Sequence, residues 1–197
     1  MIVPKPNIYE LQVVACDERS SFTINTSDGR DGLRWEDRVR GGKIYMVAER
    51  GLDGTIRYVG QTVQSIQRRL YQGITKQTYI WAKRSYKYEL FVWNLSAFVE
   101  SEPTYALDSI ESELAFVVKL YQRGWPIDQT SINFRWFRST SIGAAPQSIA
   151  PVMIDQFYEN LLYKHQQRDI DSSSIEKDRS DLQIFLKRFA IHSMPLI

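Results

Sequence analysis

The chain has 197 residues, a formal net charge of +2, and 43% hydrophobic and 13% aromatic residues. That is enough chain for a domain with a sizeable core, and no run approaches the roughly 18 uninterrupted apolar residues of a membrane span. A net charge so small makes whole-protein attraction a weak basis for nucleic-acid binding, so any such face must come from local clustering.

In chain order, Met1-Ile2-Val3-Pro4-Lys5-Pro6 carries neither the charged n-region nor the long apolar stretch of a secretory leader. Cys16 is the single cysteine, so an internal disulfide is impossible, and a reducing, cytoplasmic location is expected. A free cysteine ordinarily behaves as a small buried hydrophobe. Residues 1–41 mix short apolar runs with the polar stretch Ser27-Asp28-Gly29-Arg30-Asp31-Gly32 and read as an N-terminal extension that packs on something else. Gly41-Gly42 then breaks the chain ahead of a core region over 42–140.

Lys43 to Glu49 is rich in strand formers, and Thr55 to Gly60 is a second short run. Between them Gly51-Leu52-Asp53-Gly54 supplies hairpin chemistry, because Asp-Gly readily takes positive φ angles. Ser65 reads as an N-cap, with Ile66, Leu70 and Gly73 marking one side of a short helix. Gln77 to Arg84 reads as a second helical piece, and Tyr88 to Leu95 alternates as a third strand. Leu107, Ile110, Leu114, Val117 and Tyr121 draw one apolar stripe along a helix that Gly124 and Pro126 stop. Ile132 to Phe137 reads as a short strand. A helical C-terminal extension over 141–197 follows, with helices at Val152–Tyr163 and Leu182–Ala190 separated by the polar run 169–174. Met153, Phe157, Leu161, Phe185 and Phe189 on those helices either pack over the core or form the interface of a homodimer.

The basic residues do cluster. Arg68, Arg69, Lys76, Lys83, Arg84 and Lys87 gather after Tyr58-Val59-Gly60, with Tyr71, Tyr79, Trp81, Tyr86 and Tyr88 interleaved; Arg135 and Arg138 sit among Phe134, Trp136 and Phe137. Basic side chains neutralise phosphates and aromatics stack on bases. Arg68, Tyr71, Lys76, Lys83, Arg84, Asn133 and Arg135 are therefore the candidate nucleic-acid contacts.

The order of elements is hairpin, short helix, third strand, long helix. Within it, Lys43-Ile44-Tyr45 and Tyr58-Val59-Gly60, then Gln61-Thr62, Arg69-Leu70 and a helical Glu113, resemble the GIY-YIG nucleases over roughly residues 42–134. The resemblance implies an α/β fold with a small, three-stranded, mostly antiparallel sheet flanked by helices. It also implies a metal-dependent DNA endonuclease in the style of stand-alone restriction or phage-type members. Tyr45, Tyr58, Arg69 and Glu113 become the expected catalytic residues. Phosphodiester hydrolysis suits these types: a guanidinium meets two phosphate oxygens in fork geometry, and a carboxylate such as Glu113 offers Mg2+ or Mn2+ a hard oxygen ligand. The resemblance gives proton transfer to Tyr45, with Tyr58 orienting water or phosphate.

Arg69 is preferred to Arg68 because it lies three residues after Ile66, beside the packed side. Glu113 is preferred to Glu111 because it is expected nearer the apolar stripe of its helix. The chain departs from the family at Gly73, where many members carry His, and at Trp125, where many carry Asn. Tyr71 or Lys76 is a candidate replacement for the first and Asn133 for the second. The only histidines, His165 and His192, fall in the C-terminal part. The competing expectations are a structure-specific nuclease for branched DNA and a non-catalytic nucleic-acid-binding protein on a nuclease scaffold.

Overall fold

A computed structural model of the chain describes residues 3–26, 32–51, 53–98, 103–132 and 146–192. The strand expected over Ile132–Phe137 falls almost wholly outside the described residues, as do Asn133, Arg135 and Arg138 and the side chains of Phe185 and Phe189. The strands are β1 (Asn7–Val14), β2 (Ser21–Thr26), β3 (Lys43–Glu49), β4 (Ile56–Thr62) and β5 (Tyr86–Asn94). The helices are α1 (Trp35–Arg38), α2 (Ile66–Thr75), α3 (Pro103–Tyr121), α4 (Pro146–Gln167) and α5 (Ser173–His192). The piece expected over Gln77–Arg84 shrinks to a single 3-10 turn, Ile80–Lys83.

The class is α/β, but the sheet has five strands rather than three. All pairs are antiparallel, in the order β2-β1-β5-β3-β4. The additional strands come from the segment read as an extension. Along β1, Tyr9, Leu11 and Val13 are buried while the residues between them are not, the period-2 pattern of a half-buried strand. Its pairing with β5 (Tyr9 opposite Leu90, Leu11 opposite Tyr88) takes β5 away from the sheet edge. The boundary expected at 41/42 thus runs through one continuous sheet.

The β3–β4 hairpin forms as its turn residues dictate, with Gly54 at φ +58°. Its register sets Tyr45 opposite Gly60 and Val47 opposite Tyr58, then slips so that Ala48 faces Ile56. Arg57 is the extra residue of this bulge, and its guanidinium pairs with Asp128 at 2.7 Å and Glu49 at 3.2 Å. The outer edge of β4 is covered rather than left open. Gln122 bonds both the N–H and the C=O of Ile56, Gln129 accepts from the Val59 N–H, and the Asp128 N–H donates to the Arg57 carbonyl.

The sheet separates two cores. On one face Ile44, Met46, Phe91 and Trp93 meet Leu107, Ile110, Leu114 and Val118 of α3 and Met153, Phe157 and Leu161 of α4. The C-terminal helices therefore pack over the core, and these three α4 residues are not an exposed interface. On the other face Tyr9, Leu11, Tyr45, Val47 and Leu90 meet Ile66, Leu70 and Ile74 of α2. Cys16 is exposed in the turn between β1 and β2 rather than buried. His165 is buried at the end of α4, its ring nitrogen Nδ1 3.2 Å from the Asp171 carbonyl. Among the described residues no helix is long and apolar enough to cross a membrane.

Candidate active site

The site begins with a cross-strand pair. Tyr45 lies on the α2-facing side of β3, directly opposite Gly60. A Cβ at Gly60 would sit 2.4 Å from Tyr45 Cζ and 2.7 Å from Tyr58 Cε1. The absent side chain is what lets the Tyr45 ring cross β4. Tyr58, two residues before Gly60 on the same face, brings its ring to 6.0 Å from that of Tyr45.

Ser65 starts α2 by accepting a hydrogen bond from the Arg68 N–H at 3.3 Å. With Ile66, Leu70 and Ile74 turned into the core, Arg69 falls on the shoulder of the helix. Its Nε donates to Tyr45 Oη at 3.2 Å. Past α2, Gln77 reverses the chain at φ +54°, and the Thr78 and Tyr79 N–H groups both return to the Gly73 carbonyl. The Tyr79 ring then lies directly on Gly73, where a Cβ would come within 1.9 Å of Tyr79 Cε2. Position 73, one of the two departures from the GIY-YIG pattern, has no room for a side chain because Tyr79 fills it. Tyr79 Oη is 2.8 Å from Tyr45 Oη, its ring lies 5.7 Å from the Arg69 guanidinium carbon, and it stacks on Trp81 at 5.2 Å.

These groups border an open cavity of about 470 Å3, lined by Tyr58, Arg69, Lys76, Tyr79, Asp128 and Thr130 among others. Burial first, and then the neighbouring tyrosines, hold the Tyr45 hydroxyl well above its usual range against the opposing pull of Arg69. Burial also raises Tyr58 and Tyr79, so all three are neutral hydroxyls near pH 7. Burial works against the charge of Arg69, but Tyr45 and Tyr79 outweigh it and the group is held above its ordinary value.

The acid facing this cluster is Glu111. Burial and the nearby Asp108 push its carboxyl up to about 7, with Arg69 opposing, and its charge is felt in turn at Tyr58 and Tyr79. Asp108, one turn earlier on α3, accepts a hydrogen bond from Gln61 Nε2 of β4 at 3.1 Å. Glu113 points elsewhere, accepting from Gln147 Nε2 of α4 at 3.3 Å. The structure thus brings Tyr45, Tyr58 and Arg69 together as expected from sequence, and brings Glu111 to them instead of Glu113.

The candidate nucleic-acid contacts divide similarly. Lys76 lines the cavity. Arg68 is exposed on α2, and Lys83 and Arg84 are exposed beyond Tyr79. Tyr71 lies on the far flank of α2, hydrogen-bonded to Arg19. Tyr71 therefore stands on the other side of α2 from this cavity, and Tyr79 occupies the space over Gly73. In the sequence Tyr79 is one aromatic among several. The signal for it was Gly73 itself, a glycine inside a helix with no turn to explain it.

Among the described residues no group of three or more His, Cys, Asp or Glu could hold a metal ion. A cation held by one or two carboxylates, with waters and substrate phosphate completing its shell, needs no such group, and that is the habit of magnesium. Glu111 fits as the donor: it is desolvated, sits beside a second carboxylate, and has no hydrogen-bond partner among the described residues. A bound cation would relieve all three conditions. No family model matches the chain, and neither curated proteins nor solved structures return a match.

Proposed function

We propose that the protein is a metal-dependent DNA endonuclease with a GIY-YIG-like site, its carboxylate supplied by Glu111. The observation that carries this reading is Arg69 at the wall of an open cavity, hydrogen-bonded to Tyr45 at 3.2 Å, with the carboxyl of Glu111 on α3 interacting with its charge and pushed up to about 7 by desolvation and Asp108. A fixed guanidinium and an incompletely neutralised carboxylate are what binding a phosphodiester together with a divalent cation requires.

Each side chain then has a task. Arg69 spends its Nε on Tyr45 and keeps its two terminal nitrogens for non-bridging oxygens of the phosphate, whose charge grows in the transition state. Tyr45, with no exposed surface, acts through Arg69 by locking the guanidinium with Tyr79's help; in this arrangement it is a positioning residue. Tyr58 keeps its proton near neutral pH and donates from the cavity wall to phosphate or to the attacking water. Glu111, once ionised, is the ligand that would hold Mg2+ or Mn2+. Such a cation, when bound, supplies Lewis-acid stabilisation and lowers the pKa of water. Lys76, on the cavity rim, adds charge for a neighbouring phosphate. A cut through both strands would call for a second copy of the site, hence a homodimer built on residues other than the buried α4 set.

Nicking of supercoiled plasmid in magnesium or manganese tests the proposal. Wild type is expected to nick, Arg69→Ala and Glu111→Gln to slow the reaction by roughly a hundredfold or more, and Glu113→Gln to stay near wild type. Wild-type protein that cuts no faster than Arg69→Ala would overturn the catalytic reading in favour of a non-catalytic DNA-binding protein. Specific fragments, as opposed to cleavage confined to branched junctions, would identify the restriction-like form.

A further inference from the structure

A second cavity, of about 830 Å3, lies on the other side of α2 between that helix and β2. Arg19 and Arg38 line it with Gln67, Tyr71 and Thr75 of α2 and Thr23 of β2, and among the described residues no Asp or Glu lines it. Its cations are held in place. Arg19 donates to Tyr71 Oη and sits 5.5 Å from the Tyr71 ring centroid, and Arg38 Nε donates to the Leu33 carbonyl at 2.5 Å. A guanidinium has five N–H groups, so each keeps donors for a ligand.

What identifies the ligand is the relation between the two cavities. At ~100° per residue, the flank Gln67-Tyr71-Thr75 and the flank Arg69-Gln72-Lys76 lie roughly 130° apart around α2. The exposed Arg68 forms the crest between them. The helix is therefore a ridge with a cation-lined hollow on either side. A helix is ~10–12 Å across with its side chains, and the major groove of B-DNA is ~12 Å wide with a phosphate strand on each side. We infer that α2 enters the major groove of duplex DNA, setting the scissile strand at Arg69 and Lys76 and the opposite strand at Arg19 and Arg38. The inference rests on the nuclease proposal for its partner class and adds which groove is entered and where the uncut strand lies. Arg68, exposed on the crest, faces the base edges in this arrangement.

The test is binding of a short DNA duplex by the full chain in chelator, so that no cleavage intervenes. Arg19→Ala/Arg38→Ala is expected to weaken binding by roughly tenfold or more. It should also reduce the slope of log affinity against log salt by about 1.8, from 0.9 per lost phosphate contact. Thr23→Glu leaves the Arg38–Leu33 bond untouched, so it puts a negative charge in the hollow without risking the fold, and it should weaken binding too. Bound protein should protect guanine N7, a major-groove atom, from dimethyl sulfate. Wild-type affinity and slope in both variants, or guanine N7 left reactive, would overturn the inference. If wild type still nicks plasmid in magnesium under that outcome, only the placement of α2 is lost. If wild type neither binds duplex nor nicks, the nuclease proposal fails and this one with it.

Discussion

On the side of the sheet covered by α3 and α4, the strands bury aliphatic and aromatic carbon almost throughout, with Trp93 Nε1 donating to Gln156 at 2.7 Å as a polar contact at its margin. On the side covered by the shorter α2, the same strands bury Tyr9, Tyr45 and Tyr88 along with their carbon. Here the hydroxyls find partners: Tyr9 on Asp37 at 2.6 Å, Tyr45 on Tyr79 and Arg69, Tyr88 on the Trp81 carbonyl at 2.6 Å. The first side is closed by two long helices. The second is closed by ten residues of helix and a turn, and it opens at β4 into the cavity. A buried hydroxyl costs free energy unless paired, and its partner fixes its direction once paired. One face therefore supplies mainly stability, and the other holds polar groups in defined positions beside solvent.

Substitutions on the two faces should separate these contributions. Phe157→Ala, in the centre of the α4 face, is expected to cost about 3–5 kcal/mol. Denaturant unfolding should record that loss, while the fraction still folded nicks plasmid at the wild-type rate. Gly73→Ala drives a methyl into the Tyr79 ring and should cost about 1–3 kcal/mol. Its nicking rate should fall further than its melting temperature implies, because Tyr79 is displaced from Tyr45. Tyr45→Phe removes one hydroxyl from the Arg69–Tyr79 pair and should cost about 1–2 kcal/mol. Here the comparison of kcat with KM is informative: kcat falls while KM holds, since Arg69 still binds phosphate but is no longer aimed.

Glu111 adds a pH dependence. Glu111 titrates near 7 in the folded chain and near its ordinary, lower value when unfolded. Between those values the native state binds the extra proton, so metal-free stability falls as pH rises through the window. Glu111→Gln should abolish that fall and raise Tm above pH 7, each 1 kcal/mol being worth roughly 2–4 °C. Magnesium affinity has the opposite sign, climbing up to tenfold per pH unit below about 7 and flattening above, because the ligand must be ionised. Thermal melts with and without magnesium across this range would show both trends or neither.

Much of the local structure was legible in the sequence because it is set by neighbours in the chain. Asp53-Gly54 made the hairpin, Ser65 capped α2, and Leu107 to Tyr121 marked α3 by spacing. The same holds for Tyr45, Tyr58 and Arg69, which lie on one face by strand alternation and a helix shoulder. β1 carried its own signal, since Tyr9, Leu11 and Val13 alternate, yet alternation names no partner strand. The pairing with β5 that turned three strands into five joins residues some 80 positions apart.

The choice between Glu111 and Glu113 shows where local information ends. At ~100° per residue the two acids lie about 80° to either side of the apolar stripe of α3, so the expectation that Glu113 sits nearer the stripe fails and periodicity treats them as equals. The tie is broken by what stands beside each flank, α4 with Gln147 on one, and β4 with Gln61 and Tyr58 together with Arg69 of α2 on the other. Gly73 likewise looked like a missing histidine until Tyr79 was found lying on it. By itself the sequence determined which residues sit on which face of their own strand or helix, because backbone geometry repeats with a known period. Only the tertiary structure decided which of those faces meet, because that depends on how helices and sheet, distant in the chain, settle against one another.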